Sequence, residues 1–376
     1  RYYKLHVFGN EDCHLQIDGL IEKNGYTMEN YTVETEDGYL LHLFRIKGDG
    51  KPVFLMHQLL GASDDFVLTG PENGLAYLLA ADGYDVWLGN ARGTKHSRQH
   101  KRLHPRGSGF WDFSWHEIGY YDLPAMIDTA LDITGQPNLL YIGHSQGATA
   151  FYVMASQRPE YQSKISSMVG LAPVAFLSYG KSPILKIFAP MGPLLNAMLK
   201  LFGMHEFLPA QNIVIKTLMR VMCGVGRLAN LLCSNVIMLF AGFSFDELDR
   251  DSLPLIYSHT PSGAASKQFI HYAQVSASGE FKKFDRGARA NSAAYGSQKP
   301  PLYDLSLIET PIINFYSTGD WLAHPKDVAT LEAKLPNVVD SIKLEKRFNH
   351  VDFVWSKNFR TVIYERLSES LAQGTI

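Results

Sequence analysis

The sequence predicts an α/β fold: a mostly parallel, doubly wound sheet interrupted late in the chain by a helical insertion. Three observations carry this. Short apolar runs bounded by turn residues alternate with helical periodicity, the pattern of a parallel sheet covered on both faces. One run, 139–142, meets Gly143-His144-Ser145-Gln146-Gly147 and passes at once into a helical stretch from Ala148. The alternation breaks at Ser182 and resumes only after Tyr303. The chain therefore divides into a first part of the core (1–181), an insertion (182–303) and a second part of the core (304–376).

Residues 29–37 alternate apolar and polar, Gly38 turns, and 39–47 return as the second strand of a hairpin. The run 52–56 is a short buried strand. Pro71 opens a helix over 72–81, and 84–88 is the next strand. The stretch 90–109 is rich in Arg, His and Gly and reads as a solvated loop rather than an anion site. In 120–133, Leu123, Ile127 and Leu131 share one helical face. Strand 165–174 follows the Ser145 turn and its helix. The insertion is helical and unusually apolar. After it come a strand at 311–318, a helix from Pro325, a strand at 341–346 and a final helix from Ser356. An insertion at this point is placed as a cap over the carboxyl edge of the sheet, where open α/β sheets bind ligands. Its apolar excess fits either its own core or an acyl-chain pocket and lipid-facing surface.

Composition sets further bounds. The chain has 376 residues, 46% hydrophobic and 19% charged, enough for a large core. A net charge of -2 gives no electrostatic reason to expect nucleic acid. The opening at Arg1 does not read as a signal peptide, so a mature or trimmed chain is expected. The run 228–245 is uncharged, but Asn230, Ser234, Asn235 and Gly242 interrupt it, which favours a buried or substrate-facing segment over a membrane span. Three cysteines are too few for a disulfide scaffold; Cys223 and Cys233 stand close enough to close one small loop, leaving Cys13 over. Asn30-Tyr31-Thr32 is a glycosylation sequon, meaningful if the chain is secreted.

The strand–turn–helix context makes the Gly-x-Ser-x-Gly pattern specific. A sharp turn crowds its neighbours, and Gly143 and Gly147 remove the side chains that would collide. Ser145 then projects above a helix N-terminus, where the dipole and the Gln146 N–H favour negative charge. A serine hydroxyl needs a base, and the base an orienting acid. In sheets that carry the nucleophile on such a turn, the chain order is Ser, acid, His. The acid belongs after the strand that follows the insertion, where Asp320 stands. The base belongs after the last strand, where His350 stands. His324 precedes Pro325 at a helix start, Asp352 is too close to His350 in sequence to orient its ring, and Asp304 sits in the linker out of the insertion. The oxyanion needs two N–H donors, assigned to Gln146 and to Leu59 in the loop after Met56. No metal or cofactor is called for, because no ligand cluster of suitable spacing appears.

With these residues in place, the chain resembles the acid lipase family, which includes gastric, lysosomal and insect digestive lipases. The resemblance runs from Tyr26 to Leu367 and rests on GYTMENYTVETEDGYLL, GYDVWLGNARGT, FWDFSWHEIGYYDLPA, GHSQG, LLCSN and NHVDFVW. It implies an α/β-hydrolase core with a helical cap and mobile lid, and hydrolysis of triacylglycerols or cholesteryl esters at a lipid–water interface. It implies a secreted or lysosomal protein, and it implies no stable protein partner. It carries the roles of nucleophile, acid and base to Ser145, Asp320 and His350, of donors to Leu59 and Gln146, and a cap disulfide to Cys223 and Cys233. One position departs: Gln58 stands where the family has Gly, a change able to twist the loop and misalign a donor, at on the order of 3 kcal/mol. Two functions are thus in view, a serine lipase or esterase and a weakly active lipid-binding or storage protein on the same fold.

Overall fold

A computed structural model describes residues 11–183, 186, 203–208, 241–242, 247–249, 252–344 and 348–372. The expected disulfide partners Cys223 and Cys233 and nearly all of the apolar run 228–245 lie outside these residues. No helix among the described residues is long and apolar enough to cross a membrane.

The strands are β1 (Met28–Glu34), β2 (Tyr39–Ile46), β3 (Pro52–Met56), β4 (Asp85–Leu88), β5 (Gln99–His100), β6 (Leu139–His144), β7 (Ile165–Leu171), β8 (Glu206–Phe207), β9 (Ala264–Ala265), β10 (Ile312–Ser317) and β11 (Val338–Leu344). The main sheet runs β1-β2-β4-β3-β6-β7-β10-β11, with β5 paired to β2. The pairs β1·β2, β2·β4 and β2·β5 are antiparallel, and the pairs from β4 through β11 are parallel. β3, β4 and β6 are buried at every position, as central parallel strands covered on both faces require. Edge strand β11 is mostly exposed. From β3 the chain steps outward to β4, then crosses back to β6 on the other side. That reversal opens a crevice at the carboxyl ends of β3 and β6, where this fold class places ligands. The register sets Met56 opposite Gly143, so the two strands end level.

Helix Leu123–Thr134 buries Leu123, Met126, Ile127, Ala130 and Leu131, the stripe its 3.6-residue period requires. Each of the Leu, Met and Ile side chains contributes about 1.5–3 kcal/mol.

The structure corrects four expectations. The helix expected over 72–81 is two pieces, Gly70–Asn73 and Leu75–Ala81. Gly74 between them is extended, at ψ 119°, and a Cβ there would lie 2.8 Å from the Gly70 carbonyl oxygen. Strand 165–174 ends at Leu171, because Ala172 turns the chain with φ 49°. The final helix expected from Ser356 starts later, as a π-helical stretch at Arg360–Tyr364 running on into the α-helix Glu365–Ala372. The loop 90–109 is only half solvated. Residues 101–104 and 106–109 are exposed, but Arg92 is buried at 2% exposure. Its guanidinium bonds Asp122 at 2.8 Å and Asp37 at 2.6 and 2.9 Å, and lies over the Tyr39 ring. Two carboxylates from distant elements and an aromatic face make burial of that charge tolerable.

Candidate active site

Ser145 has φ 53° and ψ -111°, an uncommon conformation for a residue with a side chain. Its neighbours explain how it is held. A Cβ on Gly143 would lie 2.7 Å from the Ala148 nitrogen, and one on Gly147 would lie 2.2 Å from the Met56 carbonyl oxygen. Glycine at both positions lets β6 turn into helix Gln146–Gln157 while the helix start presses against the end of β3. The Ser145 N–H donates to the Leu171 carbonyl at 3.0 Å, tying the turn to β7.

The loops after β10 and β11 converge on this turn. His350 Nε2 lies 2.6 Å from Ser145 Oγ, and His350 Nδ1 lies 2.8 Å from Asp320 Oδ2. The carboxylate accepts from Nδ1–H, so Nε2 is the acceptor facing the serine hydroxyl. The other Asp320 oxygen accepts the N–H groups of Leu322 and Ala323 at 2.8 and 2.9 Å, which fixes the carboxylate plane. Asp320 is fully buried, His350 is 3% exposed and Ser145 7%.

The residues set aside as acid or base have other work. His324 caps the helix Pro325–Glu332, accepting the Lys326 N–H. Asp304 accepts the Ser306 N–H. Asp352 accepts the Asn349 N–H at 2.7 Å, and Asn349 Oδ1 accepts the N–H groups of Val351 and Asp352, both at 3.0 Å. This reciprocal cap folds Asn349-His350-Val351-Asp352 into the tight turn that presents the imidazole.

Sequence reasoning missed two further supports. His144 donates from Nε2 to the His350 carbonyl oxygen at 2.9 Å, and burial holds its pKa well below the ordinary histidine value, so the ring stays neutral. The Ala241 carbonyl accepts both the His350 N–H at 3.1 Å and the Trp321 N–H at 3.2 Å. Gly242 beside it has φ 109°, and a Cβ there would lie 2.3 Å from the Gly319 carbonyl oxygen. His144 lay in view beside Ser145, but only spatial contact reveals its partner; Ala241 carries no local signal.

Leu59 and Gln146 stand at the carboxyl ends of adjacent strands. The Gln146 N–H opens its helix and has no acceptor within it. The loop holding Leu59 begins with buried His57, whose Nδ1 donates to the Gln58 carbonyl at 2.7 Å and whose Nε2 accepts the Ala91 N–H at 3.1 Å. Burial pushes the His57 pKa down to about 4, which keeps Nε2 an acceptor. Leu60 has φ 65°, and its carbonyl accepts the Ser262 N–H at 2.7 Å. Asn30 is exposed on edge strand β1, its Oδ1 2.8 Å from His42 Nδ1, so the sequon lies in a strand rather than a loop.

Residues 51–194 match the profile of the alpha/beta hydrolase fold, and 17–70 that of the partial alpha/beta-hydrolase lipase region. Lipase 1 of Drosophila melanogaster is 41% identical over 96% of this chain and 81% of its own length. The gastric triacylglycerol lipase of Homo sapiens is 35% identical over 98% of this chain and 94% of its own. Among solved structures, a monoglyceride lipase from Saccharomyces cerevisiae shares the fold, with TM-score 0.57 and 14% identity over 94% of this chain and 98% of that one. Identity of this order along nearly the whole length leaves no room for another lineage: the chain belongs to the acid lipase family of α/β-hydrolase-fold lipases.

Proposed function

We propose that the protein hydrolyses lipid carboxylic esters, triacylglycerols or cholesteryl esters, through an acyl-enzyme on Ser145. The observation that carries this is the unbroken line Ser145 Oγ, His350 Nε2, His350 Nδ1, Asp320 Oδ2 at the strained turn. Ser145 Oγ attacks the ester carbonyl as His350 Nε2 takes its proton. Asp320 holds the ring's orientation and stabilises the imidazolium. The N–H groups of Leu59 and Gln146 face the oxyanion, each donor worth on the order of 3 kcal/mol. As the tetrahedral intermediate collapses, His350 returns the proton to the leaving alcohol. Water, deprotonated by His350, then attacks the acyl-enzyme, and the fatty acid departs as Ser145 recovers its proton.

The inserted segment serves as a cap admitting the acyl chain from a lipid–water interface. A secreted or lysosomal setting, a disulfide between Cys223 and Cys233 and a glycan on Asn30 belong to the same reading. The binding-protein alternative drew on Gln58; its side chain runs toward Asp65 and its backbone is not left-handed, which favours the enzyme reading.

A phosphonate ester tests the reading. Wild-type protein is expected to take up one equivalent on Ser145 with a burst of leaving group. Ser145→Ala is expected to lose labelling and about 10⁴-fold or more of kcat. Labelling at another residue, or activity that survives the substitution, overturns it.

A further inference from the structure

Helix Ser266–Ser278 of the inserted segment docks on the first turn of the nucleophile helix through two side chains one helical turn apart. Tyr272 OH lies 2.9 Å from Thr149 Oγ1. Gln268 Nε2 donates to Gln146 Oε1 at 3.0 Å, and Gln268 Oε1 accepts the Ala265 N–H at 2.7 Å. Gln268 and Gln146 are 3% and 2% exposed, so this amide–amide contact is shielded from water. The stretch just before that helix reaches the other donor loop: the Ser262 N–H holds the carbonyl of Leu60, the left-handed residue directly after Leu59. Ser262 is itself fixed, its Oγ accepting the Lys95 N–H at 3.1 Å.

We infer that Gln268 is a positioning residue for the oxyanion donors, acting through Gln146, and that the stretch from Ser262 to Gln268 holds both donor loops at once. The inference rests on the assignment of Leu59 and Gln146 as donors. A peptide N–H stabilises an oxyanion only when fixed toward the place where charge develops. The Gln146 peptide sits between a strained residue and a helix, and its side chain is the lever by which the inserted segment sets its rotation. Cutting the lever leaves the N–H present but less well aimed. The loss falls on the transition state, hence on kcat rather than KM.

The test is a double-mutant cycle with Gln268→Met, Gln146→Leu and both together, using p-nitrophenyl butyrate. Rates are normalised to active sites titrated with a phosphonate, so that misfolded protein does not count. Gln268→Met is expected to lower kcat about tenfold at unchanged KM. The double variant is expected to be no slower than Gln146→Leu alone. Wild-type kcat per titrated site in Gln268→Met, a change confined to KM, or losses that multiply in the double variant would each overturn the inference while leaving the Ser145 reading intact. Failure of wild-type Ser145 to label overturns that reading and this one with it.

Discussion

The Gln58 side chain runs to Asp65, 3.5 Å away, and its φ lies outside the left-handed region. The freedom glycine would give is therefore not used at this position; the left-handed residue of the loop is Leu60. Gln58→Gly is expected to change kcat by less than about threefold, under 1 kcal/mol on the barrier, in steady-state assays on a soluble ester. A tenfold gain would mean that Gln58 does crowd the site. Asp65 itself is buried beside Asp64, and faces Lys95, Gln58 and Thr260. Burial, then the Asp64 charge, push its pKa up to about 7. An unfolded aspartate titrates near 3.9. Between those values this carboxyl binds more protons in the native state than in the unfolded one, so its contribution to stability falls as pH rises from about 4 to about 7 and is flat beyond. Asp65→Asn removes that penalty. It is expected to raise stability by on the order of 1–3 kcal/mol at pH 8 and by little at pH 4, read from urea midpoints. Equal effects at both pH values would refute it.

At the scale of elements, Arg92 joins three pieces of chain: the β1–β2 turn through Asp37, the loop after β4, and the lead into helix Leu123–Thr134 through Asp122. Arg92→Ala leaves the buried Asp122 and the partly exposed Asp37 without their cation and is expected to cost about 3–5 kcal/mol, seen as an early denaturant midpoint. Lysine cannot reproduce the forked contacts and is expected to rescue little. This contact also marks where sequence reading stops. The Arg- and His-rich composition after β4 looks solvated, because the partners of Arg92 stand 55 and 30 residues away. That Ser145, Asp320 and His350 come together was legible, because each follows a recognisable strand in a fixed chain order. The split at Gly74 was not, since a helical period tolerates one glycine until the carbonyls of Phe66 and Gly70 close on it. Gln268, His144 and Ala241 were illegible for the same reason as Arg92: their partners are set by packing between segments far apart in the chain.

Across the whole molecule, the site sits where strand order reverses between β3 and β6. Each ingredient comes from a different crossing of the sheet: Leu59 after β3, Ser145 and Gln146 after β6, Asp320 after β10 and His350 after β11. The parallel sheet brings the four loops to one edge, but it does not aim them. The glycines beside Ser145, the Asn349–Asp352 turn and the bond from His144 aim them locally. The inserted segment adds contacts at Gln146, Leu60, Trp321 and His350. On the proposed function, recognition of the ester and alignment of the reacting groups would share one piece of chain.

The Ala241 carbonyl receives N–H groups from both the loop that holds Asp320 and the loop that holds His350. An engineer who trimmed residues 182–303 to make a minimal esterase would remove that shared acceptor as well. Two amides would then turn to solvent, and the imidazole and carboxylate would lose their common reference point. The stripped protein would be a scaffold with its chemistry out of true, and restoring it would require a replacement splint of one carbonyl, delivered at the same place.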